Sequence, residues 1–168
     1  MRFKLLMVIC AVASSTMCGH ALAGAALRRK KLVAELLTAM RILRIEIASA
    51  LNSLEYSLKQ TDQPLFVLVS ENLASSSCVL DAWMTVRNRE CVHGGCADCL
   101  SPRVLSALDR LFEQLGISGR EEQAESVHNC ILTLEESYAE SKERAAQVGK
   151  LYTSLGFLAG LFLSILMI

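Results

Sequence analysis

Four side chains that can bind a soft metal lie within the nine-residue stretch CVHGGCADC, namely Cys91, His93, Cys96 and Cys99. Cys96 and Cys99 have the two-residue spacing of a zinc knuckle. Cys91 and His93 are cramped as a second pair, because most structural zinc sites draw their halves from separate segments, although the two glycines after His93 ease the geometry. A redox dithiol and plain reduced thiols are the other interpretations. We expect reduced thiols, and hence no metal and no cofactor.

The remaining sequence offers few groups for catalysis. It contains no Gly-rich phosphate loop, no Ser/His/Asp set and no paired loop carboxylates. His128 is expected to be a partly buried structural residue, and Cys78, Cys130 and Trp83 are expected in the core. Basic and acidic residues number 17 each, so the chain lacks the basic excess that binds nucleic acid. We predict no enzymatic activity, no nucleic-acid partner and no small-molecule substrate.

The N-terminal segment is apolar and is bounded by positive charge. No charged residue occurs from Leu5 to Leu27, and the block Arg28–Lys31 follows directly. One interpretation is an uncleaved membrane helix over residues 3–27, since about 20 residues span the ~30 Å hydrocarbon core. The other is a signal peptide cleaved after the ALA stretch at residues 21–23. The four trailing cations favour the uncleaved helix and would hold this block in the cytoplasm.

The C-terminal segment, LYTSLGFLAGLFLSILMI at residues 151–168, also carries no charge. As a helix it would be ~27 Å long, which makes a short but sufficient membrane span. Gly156 and Gly160 form a small-xxx-small pattern that lets two membrane helices approach closely. Two glycines merely tolerated in lipid, or a buried core helix, are the alternatives.

The middle of the chain has the periodicity of amphipathic helices. Apolar residues recur every three or four positions from Leu32 to Leu58, which predicts one long helix that ends before Pro64. Shorter helices are predicted at about 65–73 and 77–87, with a loop over about 88–101. Ser101 and Pro102 are typical of a helix start, and Gly116 of a helix end.

The last helix is predicted to begin at the capping box Ser118–Glu121. No helix-breaking residue separates it from the C-terminal segment, so it can continue unbroken into a membrane. We therefore predict an all-α fold. A compact helical cytoplasmic domain, residues 28–150, lies between transmembrane helices at residues 3–27 and 151–168.

Several stretches resemble the stage III sporulation protein AB family of endospore-forming bacteria. The most specific is SLGFLAG with its aliphatic tail, preceded by Leu115-Gly116, Gln123 and the L…LE of 132–135. The first half is similar more loosely, through RRKKL, RILRIEI, the PL…F element at 64–66 and Trp83. Two departures are the absence of a Thr-Pro-Leu-like stretch at 48–51 and the cysteines at 91–99.

The resemblance implies a membrane platform component of the channel-like complex that joins mother cell and forespore. The family is similar to the platform proteins of type II secretion and type IV pilus machines, which couple a cytoplasmic ATPase to the assembly. The implied partners are the stage III sporulation ATPase, protein AA, and other proteins of the channel complex. The implied location is the cell membrane on the mother-cell side, in the outer forespore membrane. The resemblance leaves open whether the chain forms a homo-oligomer.

On this hypothesis, exposed charges dock the ATPase. The candidates are the block Arg28, Arg29, Lys30 and Lys31, together with Glu121, Glu122, Glu135, Glu136, Glu140 and Arg144. The alternative hypothesis is a secreted or envelope helical protein with a cleaved signal peptide and a C-terminal membrane anchor.

Overall fold

The computed structural model describes the backbone of residues 2–49, 52–76, 78–91, 95 and 97–167, and the side chains of these residues between 24 and 148. Within this part of the chain there are six α-helices and no strand, which confirms the all-α prediction. The helices are α1 (Arg2–Ser49), α2 (Leu54–Gln60), α3 (Pro64–Leu73), α4 (Val79–Glu90), α5 (Pro102–Gln114) and α6 (Arg120–Met167).

The long helix predicted from Leu32 to Leu58 is interrupted, so that prediction is wrong over its last third. α1 ends at Ser49, and α2 begins at Leu54. Polar side chains at the junction take over backbone hydrogen bonds, which makes a break favourable. Ser49 Oγ donates to the Glu46 carbonyl at 2.8 Å, and Ser53 Oγ accepts from the Tyr56 amide as the N-cap of α2.

The predicted helix starts hold for α3 and α5. Ser101 Oγ accepts from the Val104 amide, and Pro102 occupies the first turn of α5. Proline is tolerated there because that amide has no partner within the helix. The predicted capping box of α6 is wrong by one residue. α6 begins at Arg120, and the Gln123 amide donates to the Gly119 carbonyl at 2.9 Å.

The Cα positions group the chain into two compact units. The first comprises Met1–Lys30 together with Glu140–Ile168, and the second is Lys31–Ala139. α1 and α6 each run through the boundary without a break. The prediction of an uninterrupted helix leading into the C-terminal segment is therefore confirmed.

No helix in the part of the chain with described side chains is both long and apolar enough to cross a membrane. The two predicted spans, residues 3–27 and 151–168, lie outside those residues except for 24–27. Gly156 and Gly160 lie outside them as well.

The second unit is built around an aromatic cluster. Phe112 stacks on Trp83 with ring centroids 4.7 Å apart, and Phe66 meets Phe112 edge-on at 5.7 Å. All three side chains are fully buried, which confirms the core assignment of Trp83. Trp83 Nε1 donates to Asp109 Oδ1 at 2.7 Å, and Asp109 also pairs with Arg87 at 3.0 Å. The cluster thereby joins α3, α4 and α5.

α1 and α6 complete this core with their apolar stripes. Leu36, Met40 and Leu43 of α1 are fully buried, as are Val127 and Leu134 of α6. Burying each such side chain contributes about 1.5–3 kcal/mol relative to leaving it exposed.

Within the second unit, residues 31–49 of α1 run antiparallel to residues 120–139 of α6. Arg41 pairs with Glu135, while Glu46 and Arg120 line one small pocket at the far end. Both helices therefore leave this unit at the same end, at Lys31 and Ala139.

Candidate protein interface

The cysteine loop closes back on the end of α4. Cys91 is the C-cap of α4, and its amide donates to the Arg87 carbonyl at 3.0 Å. The Ala97 amide donates to the Glu90 carbonyl at 3.0 Å. A Cβ on Gly95 would lie 2.1 Å from the Glu90 carbonyl oxygen, so this approach requires glycine.

Two of the four predicted metal ligands, His93 and Cys96, lie outside the described residues. Cys91 and Cys99 are half-buried. Burial raises the pKa of the Cys91 thiol, and the nearby Arg87 guanidinium only partly offsets this. Among the described residues, no group of three or more His, Cys, Asp or Glu side chains is placed to hold a metal ion. The reduced-thiol interpretation stays a prediction.

The other two cysteines of the middle segment differ from each other. Cys130 is buried on α6, as predicted, and burial raises the pKa of its thiol to about 12. The assignment of Cys78 to the core is wrong. Its side chain is exposed and accepts from the Asp81 amide as the N-cap of α4. His128, predicted to be partly buried, is exposed on α6.

The basic block lies inside α1, where the first unit gives way to the second. Arg28 and Lys31 are exposed, and Arg29 and Lys30 are half-buried. Lys31 Nζ lies 3.7 Å from Glu35 Oε1 one turn further along the helix. An exposed pair of this kind contributes about 0.3–0.5 kcal/mol, so the charge stays available to a partner.

Most of the acidic candidates on α6 already have intramolecular partners. Glu135 pairs with Arg41 of α1 at 2.9 Å, and Glu136 pairs with Arg103 of α5. These two carboxylates bridge α6 to its neighbours through exposed ion pairs, which add little to the packing of the helices. Glu140 pairs with Arg144 at i,i+4, which agrees with their spacing in the sequence.

Glu121 and Glu122 differ from these in that neither has an ion-pair partner among the described residues. Both are exposed in the first turn of α6, where the helix dipole stabilises negative charge. Ile117 lies in the preceding turn and is 81% exposed. The sequence pattern missed Ile117, because it follows the last periodic position of α5. Ile117, Glu121 and Glu122 are all exposed at the start of α6, and we call these three residues the α6 tip.

A groove lies elsewhere on the second unit, between α1 and the α2–α3 turn. Its volume is about 550 Å³, and it is lined by Lys31, Ala34, Glu35, Thr38, Ala39, Thr61, Asp62, Gln63 and Pro64. Asp62 has the positive φ of 53°, a conformation that Asp tolerates better than most residues. This feature, too, was missed from the sequence.

Comparison with known proteins gives one consistent result. A family model described as stage III sporulation protein AB matches residues 4–168. No curated protein matches. A solved structure described as "Stage III sporulation protein AB (SpoIIIAB)" superposes with a TM-score of 0.60 at 22% identity. The match covers 71% of this chain and 97% of that chain, and at this identity it shows a shared fold.

Proposed function

Because the chain belongs to the stage III sporulation protein AB family, its role is in sporulation, and we propose that it is a membrane platform that docks an ATPase. In this proposal the second unit is the cytoplasmic docking domain, and the two apolar terminal segments anchor it in the membrane. The partner is the stage III sporulation ATPase, protein AA, within the channel complex between mother cell and forespore.

The observation that carries the proposal is the continuity of α6. The helix runs from Arg120 to Met167 in one piece, a length of about 72 Å at 1.5 Å per residue. It starts at the α6 tip and ends in the uncharged segment 151–168. A protein bound to the second unit would thus be joined to the uncharged C-terminal segment by one continuous helix.

The direction of the chain supports the same arrangement. Both α1 and α6 leave the second unit at one end, and both continue toward uncharged sequence.

Electrostatics supports two contact regions for the ATPase. Glu121 and Glu122 have no ion-pair partner among the described residues, and the exposed, apolar Ile117 lies in the turn before them; protein interfaces commonly combine apolar and charged groups in this way. Arg28–Lys31 offer positive charge to a partner or to anionic headgroups. These surfaces fit a protein partner and give no enclosed site for a reaction.

A flotation assay tests the platform. The full-length chain is reconstituted in liposomes, purified ATPase is added, and the lipid layer is recovered by density-gradient centrifugation. The ATPase should float with liposomes that contain this chain and should stay in the soluble fraction with empty liposomes. An ATPase that stays soluble in both samples would overturn the proposal.

The secreted or envelope alternative makes a different prediction about the mature N-terminus. N-terminal sequencing of the protein from its membrane fraction should find the residues at the start of the chain. A new start at Gly24, after the ALA stretch, would favour a cleaved signal peptide and would remove the first membrane anchor.

A further inference from the structure

Acidic residues are absent from the stretches of sequence that contain the two uncharged segments. No Asp or Glu occurs before Glu35 or after Glu143. Basic residues do occur in both stretches, and four of them form the block Arg28–Lys31, directly after the uncharged N-terminal segment. Every charged side chain before Glu35 is therefore a cation.

The block has little negative charge of its own chain to neutralise it. Arg28, Arg29 and Lys30 form no ion pair among the residues with described side chains. Lys31 lies 3.7 Å from Glu35, but both side chains of this pair are exposed, so solvent screens it strongly. The block can therefore attract negative charge from outside the chain.

An apolar side chain is exposed next to these cations. Leu27 is 57% exposed and is followed directly by Arg28. A single exposed leucine is ordinary on a protein surface. Leu27, however, ends an uncharged run, residues 5–27, that is long enough to cross a hydrocarbon core. The partner that fits this junction offers apolar groups to Leu27 and negative charge to the residues after it.

A membrane surface with anionic headgroups offers both within a short distance. Four helical residues rise about 6 Å, and the headgroup layer on each side of a bilayer is roughly 5–8 Å deep. At 3.6 residues per turn, the four cations also point in four directions around α1. A protein that docks on one side of a helix would leave some of them unused, whereas headgroups approach from several sides.

We propose that Arg28–Lys31 bind the phosphates of anionic phospholipids at the membrane surface, with Leu27 in the apolar layer beside them. The inference rests on the proposed function, because it takes residues 3–27 as a membrane anchor. It deepens that function by assigning the basic block to lipid and leaving the α6 tip as the contact for the ATPase.

Quenching of a tryptophan at the boundary tests the proposal. Leu27→Trp places a reporter in the full-length chain, and the wild-type chain gives the background, since its sole tryptophan, Trp83, is fully buried. The protein is reconstituted in vesicles of equal parts phosphatidylglycerol and phosphatidylcholine, with bromine on the acyl chains of one lipid or of the other. We expect a preference for phosphatidylglycerol of at least about fivefold, the effect of one cation near a charged surface.

Two matched double variants of the reporter chain locate the preference. Arg28→Gln with Lys31→Gln removes two exposed cations of the block and should lower the preference at least about fivefold. Arg41→Gln with Arg44→Gln removes two exposed cations at the same spacing on the same helix. These lie about 15–20 Å beyond the block, which exceeds the Debye length of about 8 Å, so the preference should not change. Equal preferences in the two double variants would overturn the proposal.

Salt keeps the test decisive if the block variant does not insert into vesicles. Raising the salt concentration from about 0.1 M to about 1 M shortens the Debye length from about 10 Å to about 3 Å. The preference of the reporter chain itself should then fall toward one. A preference near one already at low salt, or one that salt leaves unchanged, would refute the binding of headgroups by these cations.

The same experiment separates this inference from the proposed function. If neither brominated lipid quenches the reporter, residue 27 lies outside the bilayer, and the membrane anchor of the platform fails. Quenching without lipid preference leaves the anchor standing and refutes the headgroup site alone. If the preference is near one and the block variant no longer recruits the ATPase in the flotation assay, the block belongs to the ATPase instead.

Discussion

Replacing Asp109 tests how the aromatic cluster is held together. The indole of Trp83 is fully buried and donates to Asp109 Oδ1 at 2.7 Å. Asp109→Ala removes the acceptor, and a buried donor left unpaired costs about 1–3 kcal/mol. The lost ion pair with Arg87 is partly exposed on both sides and adds less than about 1 kcal/mol. We expect a loss of about 2–3 kcal/mol in the free energy of unfolding.

Two further variants divide this loss between its causes. Asp109→Asn keeps a carbonyl oxygen for the indole and removes only the charge, so it should cost less than about 1 kcal/mol. Arg87→Ala removes the ion pair and leaves the hydrogen bond from Trp83, so it should resemble Asp109→Asn.

The measurement is urea unfolding of the full-length chain in detergent micelles, followed by far-UV circular dichroism. Ellipticity is the better probe because Trp83 is the sole tryptophan, and its fluorescence would respond directly to changes at Asp109. Equal denaturation midpoints for Asp109→Ala and Asp109→Asn, at equal slopes, would refute the reasoning. The indole hydrogen bond would then contribute nothing measurable.

Two other predictions concern single side chains. Cys130 has its pKa raised from 9.0 to about 12 by burial, so the stability that depends on its neutral thiol is complete below pH 9 and is lost as the pH rises toward 12. The wild type should therefore lose more stability than Cys130→Ala over this interval in parallel urea titrations, and parallel curves would contradict the assignment. Ser101→Ala removes the N-cap of α5 and should lower the free energy of unfolding by about 1 kcal/mol. Ser106→Ala, at an exposed position within the same helix, is its control, and equal effects would refute the capping role.

Local sequence signals predicted much of the fold correctly. The start of α5 at Ser101-Pro102 follows from its cap and from the fixed φ of proline, and the start of α3, predicted at about residue 65, lies at Pro64. The burial of Trp83 and Cys130 follows from helical spacing and side-chain chemistry. Each of these features depends on residues within a few positions along the chain. Their spacing in the sequence is therefore enough to predict the helix start or the buried face.

Predictions that depend on where each helix begins and ends in the folded chain were less successful. Cys78 has a hydrophobic side chain, yet it caps α4 at the surface because the helix happens to begin next to it. The break after Ser49 depends on polar side chains that outcompete the continuing helix. The apolar stripe runs on through the junction, so periodicity could not reveal the break.

The sequence by itself determined the all-α class, the family, the uncharged terminal segments and the charged residues that a partner could meet. Only the tertiary structure decided which of those charges remain free. Arg41 and Glu135 are 94 residues apart in sequence, and their pairing arises because the core brings α1 and α6 together. In the same way, the fold caps α3 with the side-chain oxygen of Gln63 and leaves its nitrogen buried without a hydrogen-bond partner among the described residues.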